Sequence, residues 1–138
     1  MAGYSGKSVV QKLGIKPGFR IFVDGAPSAY GGIVGGLPPE AKIATKLKAP
    51  LDMVHLFATE ASVLRKKLPA CRDAIAPDGM VWVSWPKKSS GVVTDLTDNV
   101  VRDTGLSLGL VDIKVCAIDD VWSGLKFVIP KALRRRAD

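Results

Sequence analysis

The groups best suited to hold a ligand are concentrated in one short segment of the chain, residues 85–91. This segment combines an aromatic ring, two ammonium groups, two hydroxyls and a glycine, at Trp85, Lys87, Lys88, Ser89, Ser90 and Gly91. Lysine donates up to three hydrogen bonds from a positive charge, so the segment could hold a phosphate or a carboxylate. It lacks the GxxxxGK[ST] order of a P-loop, and nucleotide hydrolysis is therefore not predicted.

Residues that could support catalysis or bind a metal are few and scattered. His55 is the only histidine and lies in an apolar run, where a hydrogen-bonded core residue is expected and a general base is the alternative. Cys71 and Cys116 are far apart without CxxC spacing, so they are expected to be buried, reduced thiols and not zinc ligands. There is no GxSxG nucleophile motif. The sequence therefore predicts no catalytic residue, no metal site and no cofactor, and it favours a non-enzymatic domain.

Charge suggests a further class of partner. The chain has a net charge of +7, and four of its last eight residues are basic, namely Lys131, Arg134, Arg135 and Arg136. A basic tail can bind a phosphate backbone through counterion release, and a solvated terminus is the alternative. Aromatic residues do not alternate with basic ones as they do in surfaces that stack nucleic-acid bases. The adjacent carboxylates Asp119 and Asp120 are expected to shape a turn.

Length and composition indicate one folded domain. The chain has 138 residues, of which 47% are hydrophobic and 24% charged. We expect a domain over residues 1–130 and a basic tail over residues 131–138. The longest apolar runs are the length of a strand, so no membrane span is predicted, and the polar first residues predict no secretory signal. These features favour a cytoplasmic protein.

The order of patterned segments predicts the fold. Strand patterns occur at residues 19–23, 42–47, 51–57 and 80–85, and helix patterns at residues 8–13, 60–76 and 95–106. Two closing strands, residues 113–118 and 125–129, are joined by too short a link for a helix and should form an antiparallel hairpin. The sequence therefore predicts a single Rossmann-like three-layer α/β domain, with a mostly parallel sheet of about six strands and a C-terminal antiparallel hairpin.

Local signals predict where some of these elements begin and end. Thr59 is expected to cap the helix at residues 60–76, and Pro69 to kink it or to start a second helical segment. Residues 76–79, Ala-Pro-Asp-Gly, are expected to form a turn before the strand at residues 80–85. Residues 28–37 contain four glycines, so any helix there should be short.

Two resemblances follow from these segments. The order of elements from residue 51 to residue 129, with its Pro-Asp-Gly turn, resembles the class I methyltransferase fold in a shortened form. The whole chain resembles a family of small bacterial proteins known only as a domain of unknown function, on residues 1–7, 13–18, 83–88 and 121–126. The first resemblance implies a site for adenosyl-methionine, and the second implies no activity.

The chain departs from the methyltransferase pattern at the cofactor site. The turn after the first strand reads Asp24-Gly25-Ala26-Pro27-Ser28, with alanine and proline where the pattern has further glycines. The predicted second strand ends in the sequence Thr45-Lys46-Leu47-Lys48, which has two lysines and no acidic residue. Lysine cannot accept hydrogen bonds from ribose hydroxyls. A strand–helix unit is also missing between residues 47 and 51.

In an open α/β sheet, ligands bind beyond the carboxyl ends of the strands. That rule selects the loops at residues 24–28, 58–59 and 84–91, and predicts ligand contacts from Asp24, Gly25, Ser84, Trp85, Lys87, Lys88 and Ser89. We expect a non-catalytic module that binds a small anionic ligand or a protein partner there. One alternative is a methyltransferase in which Asp24 and Gly25 hold the amino-acid end of adenosyl-methionine, and another is a nucleic-acid accessory protein. Oligomeric state is not predicted.

Overall fold

A computed structural model describes residues 8–27 and 30–134. Six strands form one sheet: β1 Arg20–Asp24, β2 Lys42–Ile43, β3 Leu51–Phe57, β4 Ile75–Pro86, β5 Val111–Ala117 and β6 Trp122–Val128. The four helices are α1 Val9–Leu13, α2 Tyr30–Val34, α3 Ala61–Ala74 and α4 Asp98–Ser107. The N-terminal segment at residues 1–7 and the end of the basic tail at residues 135–138 lie outside the described residues.

The sheet has the strand order β2-β1-β3-β4-β6-β5. The pairings of β1 with β2, of β1 with β3 and of β3 with β4 are parallel, whereas β6 is antiparallel to both β4 and β5. This arrangement confirms the predicted mostly parallel sheet with an antiparallel C-terminal hairpin. The chain adds β2 on one side of β1 and then returns to add β3 on the other, so the strand order switches between β1 and β3.

Helices cover both faces of the sheet, which gives the predicted three layers. One hydrophobic core lies under α3 and α4 and includes Leu64, Leu68 and Cys71 of α3. A second core lies under α1 and α2 and includes Leu13 and Tyr30. Because both faces of β3 are covered, all of its residues are buried except the half-buried Asp52. Among the described residues, no helix has the length and apolar character needed to cross a bilayer.

One predicted strand and one predicted turn differ from the structure. The strand expected at residues 42–47 comprises only Lys42–Ile43, which pair with Arg20 and Ile21 at the sheet's edge, and residues 44–50 hold neither helix nor strand. The turn expected at residues 76–79 is instead an irregularity within β4, since Ile75 pairs with Leu51 and Met80 pairs with Met53. Gly79 lies so close to the carbonyls of residues 76 and 51 that a Cβ there would be 3.0 Å from each oxygen.

The start of α3 also differs from the prediction. The helix begins at Ala61, so Thr59 does not cap it, and the Ala61 N–H donates to the Asp95 carboxylate at 2.8 Å. This carboxylate satisfies a free backbone donor of the first turn from 34 residues away. The helix continues through Pro69 without a second segment. The α4 helix begins at Asp98 and not at residue 95 as predicted. The Thr97 hydroxyl caps it by accepting from the Val100 N–H.

Contact between α4 and the sheet depends on a glycine. Gly105 lies directly against the Phe127 ring of β6, and a Cβ at this position would overlap the ring carbons. Gly105→Ala is therefore expected to destabilise the fold by about 1–3 kcal/mol through overpacking, although alanine has the higher helix propensity. Urea denaturation measures the loss.

The matched control is Gly31→Ala in α2, where a Cβ would meet nothing within 4 Å. This variant should be neutral or more stable by up to about 1 kcal/mol. Equal effects of the two substitutions would show that the Phe127 contact does not limit residue 105.

Candidate functional site

The parallel strands β1, β3 and β4 end at the same edge of the sheet, here called the rim. Asp24 pairs with Leu56, and Phe57 pairs with Ser84, so these strand ends lie side by side. The antiparallel β6 starts at the rim, where Trp122 pairs with Pro86. The loops predicted from the sequence to form a site are therefore brought to one edge.

A tight turn follows β1 at the point where the strand order switches. Gly25 adopts a left-handed conformation with φ of 72°, and a Cβ there would lie 2.6 Å from the Phe57 carbonyl oxygen. Both the torsion angle and the close approach to β3 require glycine. Ala26 and Pro27 follow, and Ser28 lies outside the described residues.

Asp24, the last residue of β1, contacts a lysine from α3. The Lys67 ammonium donates to Asp24 Oδ1 at 3.0 Å, and the two side chains are 41% and 31% exposed. Within the described residues, Oδ2 of Asp24 has no hydrogen-bond partner. A pair this open to water contributes little to stability, so the Asp24 carboxylate can exchange Lys67 for a ligand.

A buried polar network lies just beneath the rim. The Tyr30 hydroxyl is 3.0 Å from His55 Nδ1, and His55 Nε2 is 2.7 Å from Ser84 Oγ. Both ring nitrogens have a hydroxyl partner, and Phe57 stacks on the imidazole with ring centroids 4.3 Å apart. His55 is fully buried, which confirms the prediction of a hydrogen-bonded core histidine. Burial lowers the pKa of His55 to about 3 and raises the pKa of Tyr30 above its usual value.

A cavity of about 500 Å³ opens at the carboxyl end of β4. This β4 cavity is lined by residues of β4, the following loop, the start of α4 and the hairpin, namely Trp85, Pro86, Lys87, Lys88, Leu96, Thr97, Asp98, Asn99, Val115 and Ser123. Its volume falls within the range of small-molecule sites, about 300–1,000 Å³. Among the described residues, neither lysine forms an ion pair, so both ammonium groups can bind an anion.

The structure divides the predicted site residues into three groups. Trp85, Lys87 and Lys88 line the β4 cavity. Asp24 and Gly25 lie two strands away, at the switch in strand order. Ser84 and Ser89 take part in neither place: the Ser84 hydroxyl is fully buried against His55, and Ser89 is exposed in a 3₁₀ turn, Lys88–Ser90. Ligand binding by these two serines stays a prediction.

Sequence reasoning did not identify the opposite wall of the cavity. Leu96 and Thr97 precede α4, and Val115 and Ser123 come from the hairpin. The one signal that could have identified Ser123 is the hairpin register, which pairs it with Trp85. Asp119, by contrast, shapes the turn as predicted, because its carboxylate accepts the N–H groups of Val121 and Trp122.

On the side of β1 that faces β2, the chain segment at residues 41–50 offers no acidic side chain. β2 ends at Ile43, opposite Ile21, and therefore does not reach the rim beside Asp24. Residues 41–50 contain no Asp or Glu. The chain therefore offers no carboxylate for ribose hydroxyls at the end of its second strand, and the predicted absence of a further strand–helix unit after residue 47 is confirmed.

Comparisons with known proteins agree on the fold. No protein-family model and no curated protein matches the chain, so the resemblance to the family of unknown function stays a prediction. Among solved structures, a precorrin-6y C5,15-methyltransferase from Geobacter metallireducens superposes with a TM-score of 0.63 at 10% identity, covering 88% of this chain and 85% of that one. A methyltransferase from Aquifex aeolicus gives 0.60 at 11% identity, with 86% of each chain covered.

A third similar structure was solved with a ligand. The magnesium protoporphyrin IX methyltransferase from Synechocystis, with bound adenosyl-homocysteine (SAH), superposes with a TM-score of 0.60 at 11% identity, covering 88% of this chain and 79% of that one. At these identities the likeness establishes the methyltransferase-like fold.

The neutral, buried His55 predicts a loss of stability in mild acid. In the unfolded chain the imidazole binds a proton near pH 6.5, whereas in the folded chain it does so only near pH 3. The unfolded state therefore binds more protons as the pH falls below about 6.5, and the free energy of unfolding should fall by up to about 1.4 kcal/mol per pH unit. Urea denaturation between about pH 7 and pH 5 measures this slope.

The control is His55→Gln, which keeps hydrogen-bonding groups at this position but cannot titrate. The variant should be less stable at pH 7 and should show a shallower dependence on pH. Because the chain has a single histidine, equal slopes in the two proteins would exclude His55 as the cause.

Proposed function

We propose that this chain binds adenosyl-methionine at the crevice between β1 and β3 and acts as a methyltransferase. The observation that carries the proposal is the Gly25 turn, which lies at the switch in strand order. This turn packs so closely on β3 that a Cβ at residue 25 would lie 2.6 Å from the Phe57 carbonyl oxygen. Open α/β sheets bind their ligands at this point. The methyltransferase-like fold supports the same location.

The residues present fit one end of this cofactor. Among the described residues nothing bonds Oδ2 of Asp24 at the rim, and this oxygen can accept hydrogen bonds from the cofactor's amino group. Gly25, exposed beside Asp24, is where the turn would meet the amino-acid portion of the cofactor. Bound here, the cofactor would supply a methyl group on a positively charged sulfur. The chain would hold and orient it through Asp24 and the turn.

The ribose end of the cofactor lacks its usual acceptor. No acidic residue occurs in residues 41–50, and the lysines there can only donate. Each missing hydrogen bond between a ribose hydroxyl and a charged acceptor weakens binding by about 1.5–3 kcal/mol. We therefore expect an affinity well below that of methyltransferases with an acid at this position.

Isothermal titration with adenosyl-methionine and with its demethylated product tests the proposal. Asp24→Asn removes the charge that would hold the amino group, and it should weaken binding by about tenfold or more. Lys67→Ala is the matched control, because it breaks the same ion pair but leaves the carboxylate in place. This control should bind as tightly as the natural chain or more tightly.

Two results would contradict cofactor binding at Asp24. One is the absence of heat with either compound at millimolar concentration. The other is an equal loss of affinity in Asp24→Asn and Lys67→Ala, which would indicate that the ion pair acts only on the fold.

The second candidate function is binding of a small anionic ligand without catalysis, and the β4 cavity favours it. The cavity combines an apolar floor, including Trp85 and Leu96, with the ammonium groups of Lys87 and Lys88. An apolar pocket with a few polar groups is the usual form of a small-molecule site. Binding of a protein partner or of a nucleic acid is a separate alternative. The basic side chains of Lys131 and Arg134, in the described part of the tail, could contact such a partner.

Thermal unfolding in the presence of a panel of carboxylate and phosphate metabolites tests this site. Lys87→Ala with Lys88→Ala should abolish the stabilisation by any ligand of the cavity, because both charges are lost. Lys46→Ala with Lys48→Ala is the control, since it removes the same charge from two exposed lysines of the loop before β3. If the two double variants respond alike, the ligand binds elsewhere.

We also propose that the protein works in the cytoplasm. Cys71 and Cys116 are free thiols, as a reducing compartment favours, and burial raises the pKa of the Cys71 thiol to about 12.

A further inference from the structure

Two lysines of the hairpin lie directly opposite each other. Lys114 of β5 pairs with Lys126 of β6, and like charges in this position destabilise a sheet. Lys126 is half-buried, and Lys16, from the loop after α1, adds a third charge nearby. Burial, followed by these two neighbouring charges, lowers the pKa of Lys126. The arrangement therefore disfavours the ammonium unless an anion lies beside it.

Lys16 and Lys126 line a second cavity, at the opposite end of the sheet from the rim. This amino-end cavity has a volume of about 500 Å³. Its lining comes from the segment between α1 and β1, from the amino-terminal parts of β3 and β4, and from the end of β6 and the segment after it, namely Gly14, Lys16, Phe19, Asp52, Asp78, Met80, Lys126, Val128 and Arg134. It shares no lining residue with the β4 cavity.

The cations around this cavity have no acidic partners. In the described part of the chain, Lys16, Lys114, Lys126 and Arg134 form no ion pair. Arg134 Nε donates to the Ile129 carbonyl at 2.9 Å, which orients the guanidinium and leaves its terminal N–H groups for another acceptor. Asp52 Oδ2 accepts the Arg20 N–H at 2.8 Å, and among the described residues its other oxygen accepts no hydrogen bond.

We propose that the amino-end cavity binds a small phosphorylated molecule that also carries hydroxyl groups. The phosphate would lie among Lys16, Lys126 and Arg134, where a dianion offsets the mutual repulsion of the lysines. Asp52 and Asp78 can only accept hydrogen bonds, so the remainder of the ligand must donate them, as the hydroxyls of a sugar do. This site is independent of the adenosyl-methionine site proposed at the rim.

The test compares ribose 5-phosphate with inorganic phosphate and with potassium chloride at equal ionic strength. In the natural chain, ribose 5-phosphate should raise the unfolding temperature more than chloride does. Lys126→Met keeps the apolar length of the side chain and removes the charge. It should weaken binding of ribose 5-phosphate by about tenfold or more, while its unfolding temperature without ligand should be unchanged or higher.

Three further variants locate the ligand. Asp52→Asn, whose amide oxygen can still accept the Arg20 N–H, should weaken binding of ribose 5-phosphate but not of inorganic phosphate, because the phosphate group would lie among the cations and not at residue 52. Lys46→Met, at an exposed position, should bind as the natural chain does, and so should Lys87→Ala with Lys88→Ala.

The proposal is overturned if chloride stabilises the protein as much as either phosphate compound, or if Lys126→Met retains the full response. It is also overturned if a short DNA duplex stabilises the natural chain and ribose 5-phosphate does not. None of these outcomes depends on binding of adenosyl-methionine at Asp24.

Discussion

The structure depends on the parallel pairing of β3 with both of its neighbours. Because β1 and β4 flank β3 in the same direction, the carboxyl ends of all three strands lie at one rim. Because both faces of β3 are buried, helices must cover both sides of the sheet. The Gly25 turn extends this constraint beyond the strands, since its backbone approaches the Phe57 carbonyl more closely than any side chain would allow.

A polar cluster in this apolar interior is satisfied from within. His55 on β3 takes its two partners from α2 and β4, through Tyr30 and Ser84, and thereby ties three elements together. Loss of one member would leave a buried group without a hydrogen bond, which costs about 1–3 kcal/mol. The network also explains why the polar groups near the rim are not equally available. The hydroxyls of Tyr30 and Ser84 are buried, while Asp24 is half-buried and, among the described residues, has one carboxylate oxygen without a hydrogen-bond partner.

The two ends of the sheet differ in chemistry. At the rim, the Asp24 carboxylate lies two strands from the lysines of the β4 cavity, so opposite charges are spread along one edge. At the amino end, Lys16, Lys126 and Arg134 surround a separate cavity without ion-pair partners in the described structure. A parallel sheet can hold both arrangements because its strands begin at one edge and end at the other, and the residues at each edge come from different loops. Because β2 ends at Ile43 and residues 41–50 contain no Asp or Glu, this segment places no acidic side chain beside Asp24.

Patterns within a few neighbouring residues were sufficient for the main elements. The short apolar run at residues 51–57 indicated a strand, which the structure shows buried on both faces, and the short link after residue 118 indicated a hairpin, which β5 and β6 form. Contacts between distant residues decided the rest. The Ala61 N–H at the start of α3 is capped by Asp95, 34 residues away. Residues 76–79 form an irregularity within β4 and not a turn, because β4 pairs with β3 both before and after them.

The candidate site divides in the same way. The types of side chain at Lys87 and Lys88 already indicated anion binding, and the sequence Asp24-Gly25 already indicated a turn after the first strand. Whether a side chain reaches solvent was decided by its packing partners, as the burial of Ser84 against His55 shows. The walls of both cavities come from elements far apart in the chain. Local sequence sets the chemistry of each group, but a cavity forms only where the folded backbone brings such groups together.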